Sequence, residues 1–493
     1  MKRVLRVVLL VLALLIVIIV VRAFMFRSLQ VSTWETPELV VGVDAADRLA
    51  GAVRIATVSY DVDAPVDTAA FIAFREYLIS SYPSIHSVIT PMIFNEFSLL
   101  YKWEGTNPAL KPVVLMAHID VVPAGDEELW EKSPFSGAND GEFIWGRGTL
   151  DDKGALIQIM EAVEKLIAEG FTPARTYYLA FGHDEELSGS LGAGAIASYL
   201  VSNGVEAEFV ADEGMAVTIG MVPMMSQPVA LIGTSEKGYL SVKLTASMDG
   251  GHSSTPAPES ALSLIAGAVS RLNDKQVKPR ISEPVDDFIK YVGPEMPFYA
   301  KAIFANKWLF KPVLLNIYTA SSSGNALVRT TTAPTIISAG VKDNVIPTSA
   351  SATVNFRILA GETTDDVMAH IAKVIDDERV TVEALPGSRE PAPVSPVNVF
   401  GFETILKTIR QVYEDVVVAP TMMLASSDSR HYSGVSQNIY RFAPIVVTSE
   451  DMARIHGVNE RVKIDDWLRG VTYYYYLVRN SNDEVMEPEE SVK

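Results

Sequence analysis

The chain of 493 residues contains no cysteine. No disulfide or thiolate site can form, a transition-metal site has to use imidazole and carboxylate ligands, and cysteine usage carries no information about redox compartment. Basic side chains are scarce relative to acidic ones: 41 Lys and Arg against 60 Asp and Glu leave a net charge of −19. Such a surface excludes a protein that neutralises nucleic-acid phosphates over its general face. Repeats with a period of roughly 20 to 50 residues are absent, and low complexity is confined to the acidic end, Ser481 to Lys493, expected to be a solvated tail. What remains is an ordinary globular composition, 48% apolar, 20% charged and 9% aromatic, in a length of about three folding units.

One long apolar run is present. Met1 to Arg6 carries three basic side chains, and Val7 to Val21 contains no polar one. At 1.5 Å per residue that run is about 22 Å, short of a hydrocarbon core of roughly 30 Å unless Phe24, Met25 and Phe26 extend it and Arg22 snorkels. A cleaved signal peptide shares the charge and length, but the small-residue cleavage pattern is missing, because Val21-Arg22-Ala23 leads into Phe-Met-Phe. Residues 1–30 are therefore expected to form a signal anchor, with secretion as the alternative. The basic start favours a cytoplasmic N-terminus and an exported remainder.

Between about Ala45 and Gly233, short apolar runs alternate with helical patterns, which predicts an α/β domain with a mainly parallel sheet. Val113 to Ile119, Thr176 to Gly182 and Phe209 to Ala211 read as strands, and Leu156 to Ile167 shows helical spacing with Gly170 at the stop. From 234 to 385 the pattern turns to β-rich segments (Leu240 to Ala246, Thr335 to Val341, Ala350 to Leu359) around helices at Glu259 to Leu272 and Thr364 to Asp376. This predicts an inserted α+β domain, with residues 45–233 and 386–480 together closing the α/β domain and 481–493 as tail.

Ligands of open α/β sheets gather beyond the carboxyl ends of the strands, so acidic and imidazole side chains there are candidates. Four places qualify. In His118-Ile119-Asp120, residues two apart face one side of an extended chain, and Asp120 can orient the imidazole. Gly146 to Gly154 (GRGTLDDKG) is a tight turn delivering Asp151 just before a helix; His183-Asp184-Glu185-Glu186 and Asp212-Glu213 close apolar runs. Taken singly, each reads more readily as a cap or a solvated turn than as a ligand. Together they supply imidazole and carboxylate, the ligand set of Zn²⁺, with Mn²⁺ or Co²⁺ as competitors.

These segments belong to a set: MAHIDVVPA, PFSG, WGRGTLDDKG, GHDEELSG, ADEG, SEKG, GHSSTP, RTTTAP, GVKDNVIP, NFRI, DSRHY, YRFAP and RIHGVNERV. The chain resembles the zinc-dependent M20 metallopeptidases over about Ala45 to Leu477, and among them the branch of carboxypeptidase S and the N-fatty-acyl-amino-acid synthase/hydrolases. The resemblance implies a di-zinc catalytic domain, with His118, Asp151 and Asp212 around one zinc and Asp151, Glu186 and His456 around the other. It implies Glu185 as general acid/base and a cis peptide after Asp151; Asp120, placed to orient His118, is counted with the catalytic residues. His252 in GGHSSTP would contact the oxyanion, and Asn344 and Arg357 would hold a substrate carboxylate. Arg430 is a second carboxylate candidate, with a structural ion pair to Asp428 as the other reading. The family's usual Gly-Gly-Thr-Asp or Gly-Asn-Thr-Asp reads Ser426-Ser427-Asp428 after Ala425, so the pocket wall is expected to be reshaped. The inserted domain is implied to be a lid or dimerisation unit, and the assembly a homodimer.

The expected chemistry is metal-assisted amide hydrolysis, with zinc activating water at neutral pH and Glu185 moving its proton to the leaving amine. The favoured substrate is an N-acyl amino acid; carboxypeptidase or dipeptidase action on short peptides is the alternative, and a membrane-tethered binding protein without catalysis is a third reading. Phe288, Tyr291, Phe298, Tyr299, Phe304, Trp308 and Phe310 concentrate in one short stretch. They form either a packed core in an enlarged lid or an apolar groove for an acyl chain.

Overall fold

Apolar runs of six residues flanked by turn formers become the centre of a ten-stranded sheet in this computed structural model, which describes residues 1–32, 39, 41–42 and 44–482. Across the sheet the order is Met92–Phe94, Ser98–Trp103, Tyr177–Gly182, Val113–His118, Phe209–Asp212, Ile439–Arg441, Val229–Glu236, Val217–Thr218 and Val446–Val447, with Val417–Met423 also paired to Val229–Glu236. The four strands from Tyr177–Gly182 to Ile439–Arg441 are parallel, while Met92–Phe94 with Ser98–Trp103, Ser98–Trp103 with Tyr177–Gly182, and Val217–Thr218 with Val229–Glu236 are antiparallel. The sheet is thus mixed with a parallel centre. Every residue of Val113–His118 and Tyr177–Gly182 is buried, because both faces are covered. Alternate side chains enter different cores: Val113, Leu115 and Ala117 pack with Leu156, Ile159 and Trp467, and Val114 and Met116 pack with Ile196 and Leu200.

The helix Lys153–Ala168 is buried along most of its length and stops at Gly170, whose φ of 78° favours a residue without Cβ. The helix Ile464–Asn480 lies against it. Trp467 is fully buried, its Nε1–H donating to the Gly154 carbonyl at 3.0 Å, while Gln158 Nε2 donates to the Trp467 carbonyl at 2.9 Å. The C-terminal helix thereby clamps the first turn after Asp151 and Asp152.

The middle of the chain forms a separate four-stranded antiparallel sheet, in the order Thr331–Ala339, Ser349–Ile358, Gly238–Ser247 and Val380–Ala384. Burial alternates residue by residue along Ser349–Ile358, so one face packs against the helices Ala261–Asp274 and Thr364–Ile375. Each of these helices begins with a capping box, Ser260 with Ser263 and Thr363 with Asp366. Thr331–Ala339 is an edge strand, exposed along most of its length. Gly251–His252 and Val345–Ile346 pair as a small ribbon beside it in sequence.

The expected elements recur with ends shifted by at most four residues, and the acidic tail beyond Asn482 lies outside the described residues. The aromatic segment divides between the helices Glu283–Val292, Phe298–Ala305 and Lys307–Thr319: Tyr291 is buried, Phe288 and Phe304 pack against the main core, and Phe298, Tyr299 and Trp308 are exposed. It is neither wholly core nor wholly groove. Trp467→Ala should lower stability by about 3–5 kcal/mol through the cavity and the lost clamp, read as a fall in the urea midpoint monitored by far-UV circular dichroism.

Candidate metal centre

Two groups of side chains converge beyond the carboxyl ends of the central strands, and both use Asp151. In the first, His118 Nε2 lies 3.0 Å from Asp151 Oδ1 and 3.7 Å from Glu213 Oε1. In the second, His456 Nε2 lies 3.1 Å from Asp151 Oδ2 and 3.3 Å from Glu186 Oε2. Within each group all ligand atoms are within 4.8 Å of one another. Asp151 thus presents one oxygen to each histidine.

Each ligand is held from behind. His118 ends its strand and its Nδ1 donates to the Asp120 carbonyl at 2.9 Å, which turns Nε2 towards Asp151 and Glu213. The Asp120 carboxylate accepts from the backbone N–H groups of Glu185 (3.2 Å) and Glu186 (3.3 Å) and from Ser59 Oγ (2.8 Å), so it aims the glutamates without entering the cluster. The turn that delivers Asp151 needs Gly146 and Gly148, at φ 145° and 92°. It is pinned by Glu460, which accepts from Gly148 N–H (2.9 Å) and Leu150 N–H (2.8 Å) and pairs with the buried Arg147 at 2.5 Å. The Asp151–Asp152 peptide is cis, as expected.

The electrostatics call for cations. Among the described residues, no lysine or arginine forms an ion pair with Asp151, Glu186 or Glu213; their partners are the two histidines. Burial pushes the Glu213 carboxyl well up, and Asp151 and Asp152 add to it. Burial does the same to Glu185, with Asp428, Asp151 and Glu186 contributing and His118 opposing. Hydrogen bonds to Asp151 and Glu186 raise the His456 imidazole to about 10. Burial disfavours the His118 imidazolium, yet Asp120 and Asp151 outweigh it and the net shift is upward. Glu186 Oε1 is buried with no hydrogen-bond partner. A divalent cation in each group would meet this demand in place of protons, and the donors, imidazole nitrogen and carboxylate oxygen, fit the transition metals that use such ligands.

The structure differs from the expected ligand set at one position. Asp212 is not in the first group: its Oδ2 accepts the Ser429 N–H at 2.8 Å, and Glu213 stands with His118 instead. Asp212 is the last residue of its strand, and the next residue points to the other side. That alternation was legible at ADEG. Glu185 and Glu186 lie in a 3₁₀ turn, Glu185–Leu187. The role of Glu460 was missed, although it follows His456 by four residues.

The remaining candidates lie elsewhere. His252 is exposed on its ribbon, with Nδ1 accepting from Ser254 N–H at 3.1 Å, and Asn344 is its neighbour through the Ser253 N–H to Asn344 carbonyl bond of 3.2 Å. Neither touches the metal groups. Arg357 stacks on Tyr239 with its Cζ 4.9 Å from the ring centroid, and Arg389, overlooked in the sequence, approaches the same ring at 5.4 Å. Arg430 makes no ion pair with Asp428; it donates to the carbonyls of Ser427 (2.8 Å) and Ser188 (2.6 Å), two residues from Glu186. Both Asp428 oxygens are buried without a hydrogen-bond partner. Arg389, Arg430, Lys237 and Arg441 line a cavity of ≈ 470 Å³.

The two adjacent acids are separable by experiment. Glu213→Gln should release about half of the bound metal, measured by inductively coupled plasma mass spectrometry, because a neutral amide is a far weaker ligand; Asp212→Asn should retain both equivalents. The reverse result would restore Asp212 as ligand.

Comparisons with known proteins agree with this geometry. Residues 114–480 match Peptidase family M20/M25/M40. The chain is 42% identical over 446 residues to the N-fatty-acyl-amino acid synthase/hydrolase PM20D1 of Xenopus tropicalis, covering 90% of this chain and 86% of that protein. It is 42% identical over 443 residues to a probable carboxypeptidase S-like 2 protein of Dictyostelium discoideum, covering 89% and 85%. The fold is similar to that of an M20 family metallo-carboxypeptidase, Sso-CP2 from Sulfolobus solfataricus, with a TM-score of 0.63 at 16% identity, covering 90% of this chain and 100% of the other. With an α/β unit, a smaller inserted sheet and candidate metal-holding groups, the chain belongs to peptidase family M20/M25/M40 and is a metallo-amidohydrolase.

Proposed function

We propose that the chain is a di-zinc amidohydrolase that cleaves, and in reverse forms, the amide bond of N-acyl amino acids, fatty-acyl ones included, with Mn²⁺ or Co²⁺ able to replace Zn²⁺. The observation that carries the reading is the pair of His and carboxylate groups sharing Asp151, with Glu185 beside them. Two such cations supply Lewis acidity, activating water and polarising the scissile carbonyl. Glu185 accepts the proton of the attacking water and passes it to the leaving amine, a task for which a carboxyl raised by burial is suited. Asp120 keeps Glu185 and Glu186 aimed through their backbone N–H groups.

The substrate's carboxylate is assigned to the arginines. Burial lowers the Arg389 pKa, and the nearby charges of Arg430 and Arg357 lower it further. An anion among the three relieves that repulsion and can be gripped by a guanidinium fork. A peptide's C-terminal carboxylate would fit the same groups, and the carboxypeptidase-like relative keeps that second reading in play.

His252 and Asn344 complete the site, on this reading, from a second copy of the chain. The exposed edge strand Thr331–Ala339, with Ile336 and Ile337 exposed, supports self-association through residues 234–385, here taken as the inserted lid and dimerisation unit. The helix Lys2–Met25 is taken as a signal anchor with the catalytic unit on the non-cytoplasmic side; its 24 residues span about 36 Å.

Wild-type protein should release amine from N-oleoyl and N-acetyl derivatives of one amino acid faster than from the matching dipeptide, and Glu185→Gln should lose about 10²–10⁴-fold in kcat while keeping its metal. Dipeptide preference would favour the peptidase reading; full activity of the variant would remove Glu185 from its role. For the shared site, mixing His252→Ala with Glu185→Gln should regain activity neither has alone, since one hybrid site is then intact. Without regain, His252 serves its own subunit or none.

A further inference from the structure

From Met296 to Lys342, 47 residues contain no acidic side chain, in a chain that has 60, while Lys301, Lys307, Lys311, Arg329 and Lys342 lie within the stretch. Its first part is the helix pair Phe298–Ala305 and Lys307–Thr319. On the second helix Leu309, Val313 and Ile317 recur every four residues and are exposed, beside exposed Trp308; Leu314 on the other side is buried. Phe298 and Tyr299, also exposed, extend this apolar face onto the first helix.

The same pair holds the end of the N-terminal helix. Asn306 Nδ2 donates to the Ile19 carbonyl at 3.0 Å, Arg22 Nε donates to the Ala305 carbonyl at 3.3 Å, and the rings of Phe24 and Phe298 are 5.4 Å apart. A Cβ at Gly293 would meet the Phe26 ring at 2.6 Å, so this junction is close-packed. Only Ala23 of the N-terminal helix is buried, and the exposed apolar surfaces of the helix and the pair are continuous.

We propose that the outer face of Phe298–Ala305 and Lys307–Thr319 lies in the interface of the bilayer that the N-terminal helix spans, as a second, in-plane membrane contact. The inference rests on the anchor reading. Ile19 to Met25 covers about 9 Å at the end of that helix, the depth at which a spanning segment leaves the hydrocarbon. Helices docked there meet headgroups and the upper acyl region, where Trp and Tyr rings and Lys ammonium groups are favoured. The two helices contribute no acidic side chain of their own, and although Lys307 pairs with Asp286 of the preceding helix, Lys301 and Lys311 form no ion pair among the described residues, which fits an anionic lipid surface. A second copy of the chain could also cover an apolar face, but the continuity with the spanning helix favours lipid.

Because the chain has no cysteine, single sites can be spin-labelled in the full-length protein. Leu12→Cys reports the anchor and Ile317→Cys the new contact, each reconstituted in phosphatidylcholine/phosphatidylserine vesicles and read by electron paramagnetic resonance with oxygen and a water-soluble nickel chelate. Both labels should gain oxygen collisions and lose those with nickel. An aqueous Ile317 label with a buried Leu12 label overturns the proposal and leaves the anchor standing. Two aqueous labels overturn both. Dipolar broadening between Ile317 labels assigns the face to a second copy and also overturns it.

Discussion

Seven carboxyl groups, Asp151, Asp152, Glu185, Glu186, Asp212, Glu213 and Asp428, crowd at the carboxyl ends of the central strands, and their mutual repulsion is the constraint the rest of the structure answers. Burial raises most of them, and among the described residues no lysine or arginine forms an ion pair with the three that face the histidines. Such a cluster is costly as bare anions in a low-dielectric site, and divalent cations at its centre turn the repulsion into attraction. The fold's task is to hold the acids together in the meantime. It does so with backbone N–H groups, as at Asp120 and Asp212, and not with cations that would compete for the oxygens.

Asp151 carries the heaviest geometric demand, because it faces both histidines. Its turn has two supports, and both come from the far end of the chain: Glu460 accepts the turn's N–H groups while paired to Arg147, and Trp467 caps the helix that follows. His456, a ligand candidate, lies four residues before Glu460, so one C-terminal segment supplies a ligand and the brace of the shared carboxylate. Removing one partner of a buried, hydrogen-bonded pair such as Arg147–Glu460 costs about 3–5 kcal/mol. Stability and metal geometry are therefore coupled through the same few residues.

Much of this was legible in sequence, for physical reasons. Strand ends and the helix after Asp151 follow from apolar run length, helical periodicity and Gly170, which are local signals. His118, Asp151, Glu186 and His456 come together as their motifs imply. Whether Asp212 or Glu213 faces His118 is a one-residue register question that motif spelling does not answer but strand alternation does. Glu460 and Arg389 were not legible, because their partners lie far away in sequence. The mainly parallel sheet follows from the alternation of strand and helix patterns, while its antiparallel margins depend on how distant segments return.

The polar and apolar extremes of the chain meet in one substrate class. An N-fatty-acyl amino acid has an anionic head and a tail whose transfer into water costs roughly 0.8 kcal/mol per methylene, so a long chain costs more than about 10 kcal/mol to extract from a bilayer. A free-floating enzyme would wait for that rare event. On the two proposals taken together, the arginines read the head while the face around Leu309, Val313 and Ile317 keeps the enzyme where the tail already resides. The tail then need not cross water at all. The same −19 charge that excludes a general nucleic-acid surface leaves the acid-free stretch 296–342 as the part of the chain suited to an anionic membrane, so the charge distribution carries the distinction that the net charge alone does not.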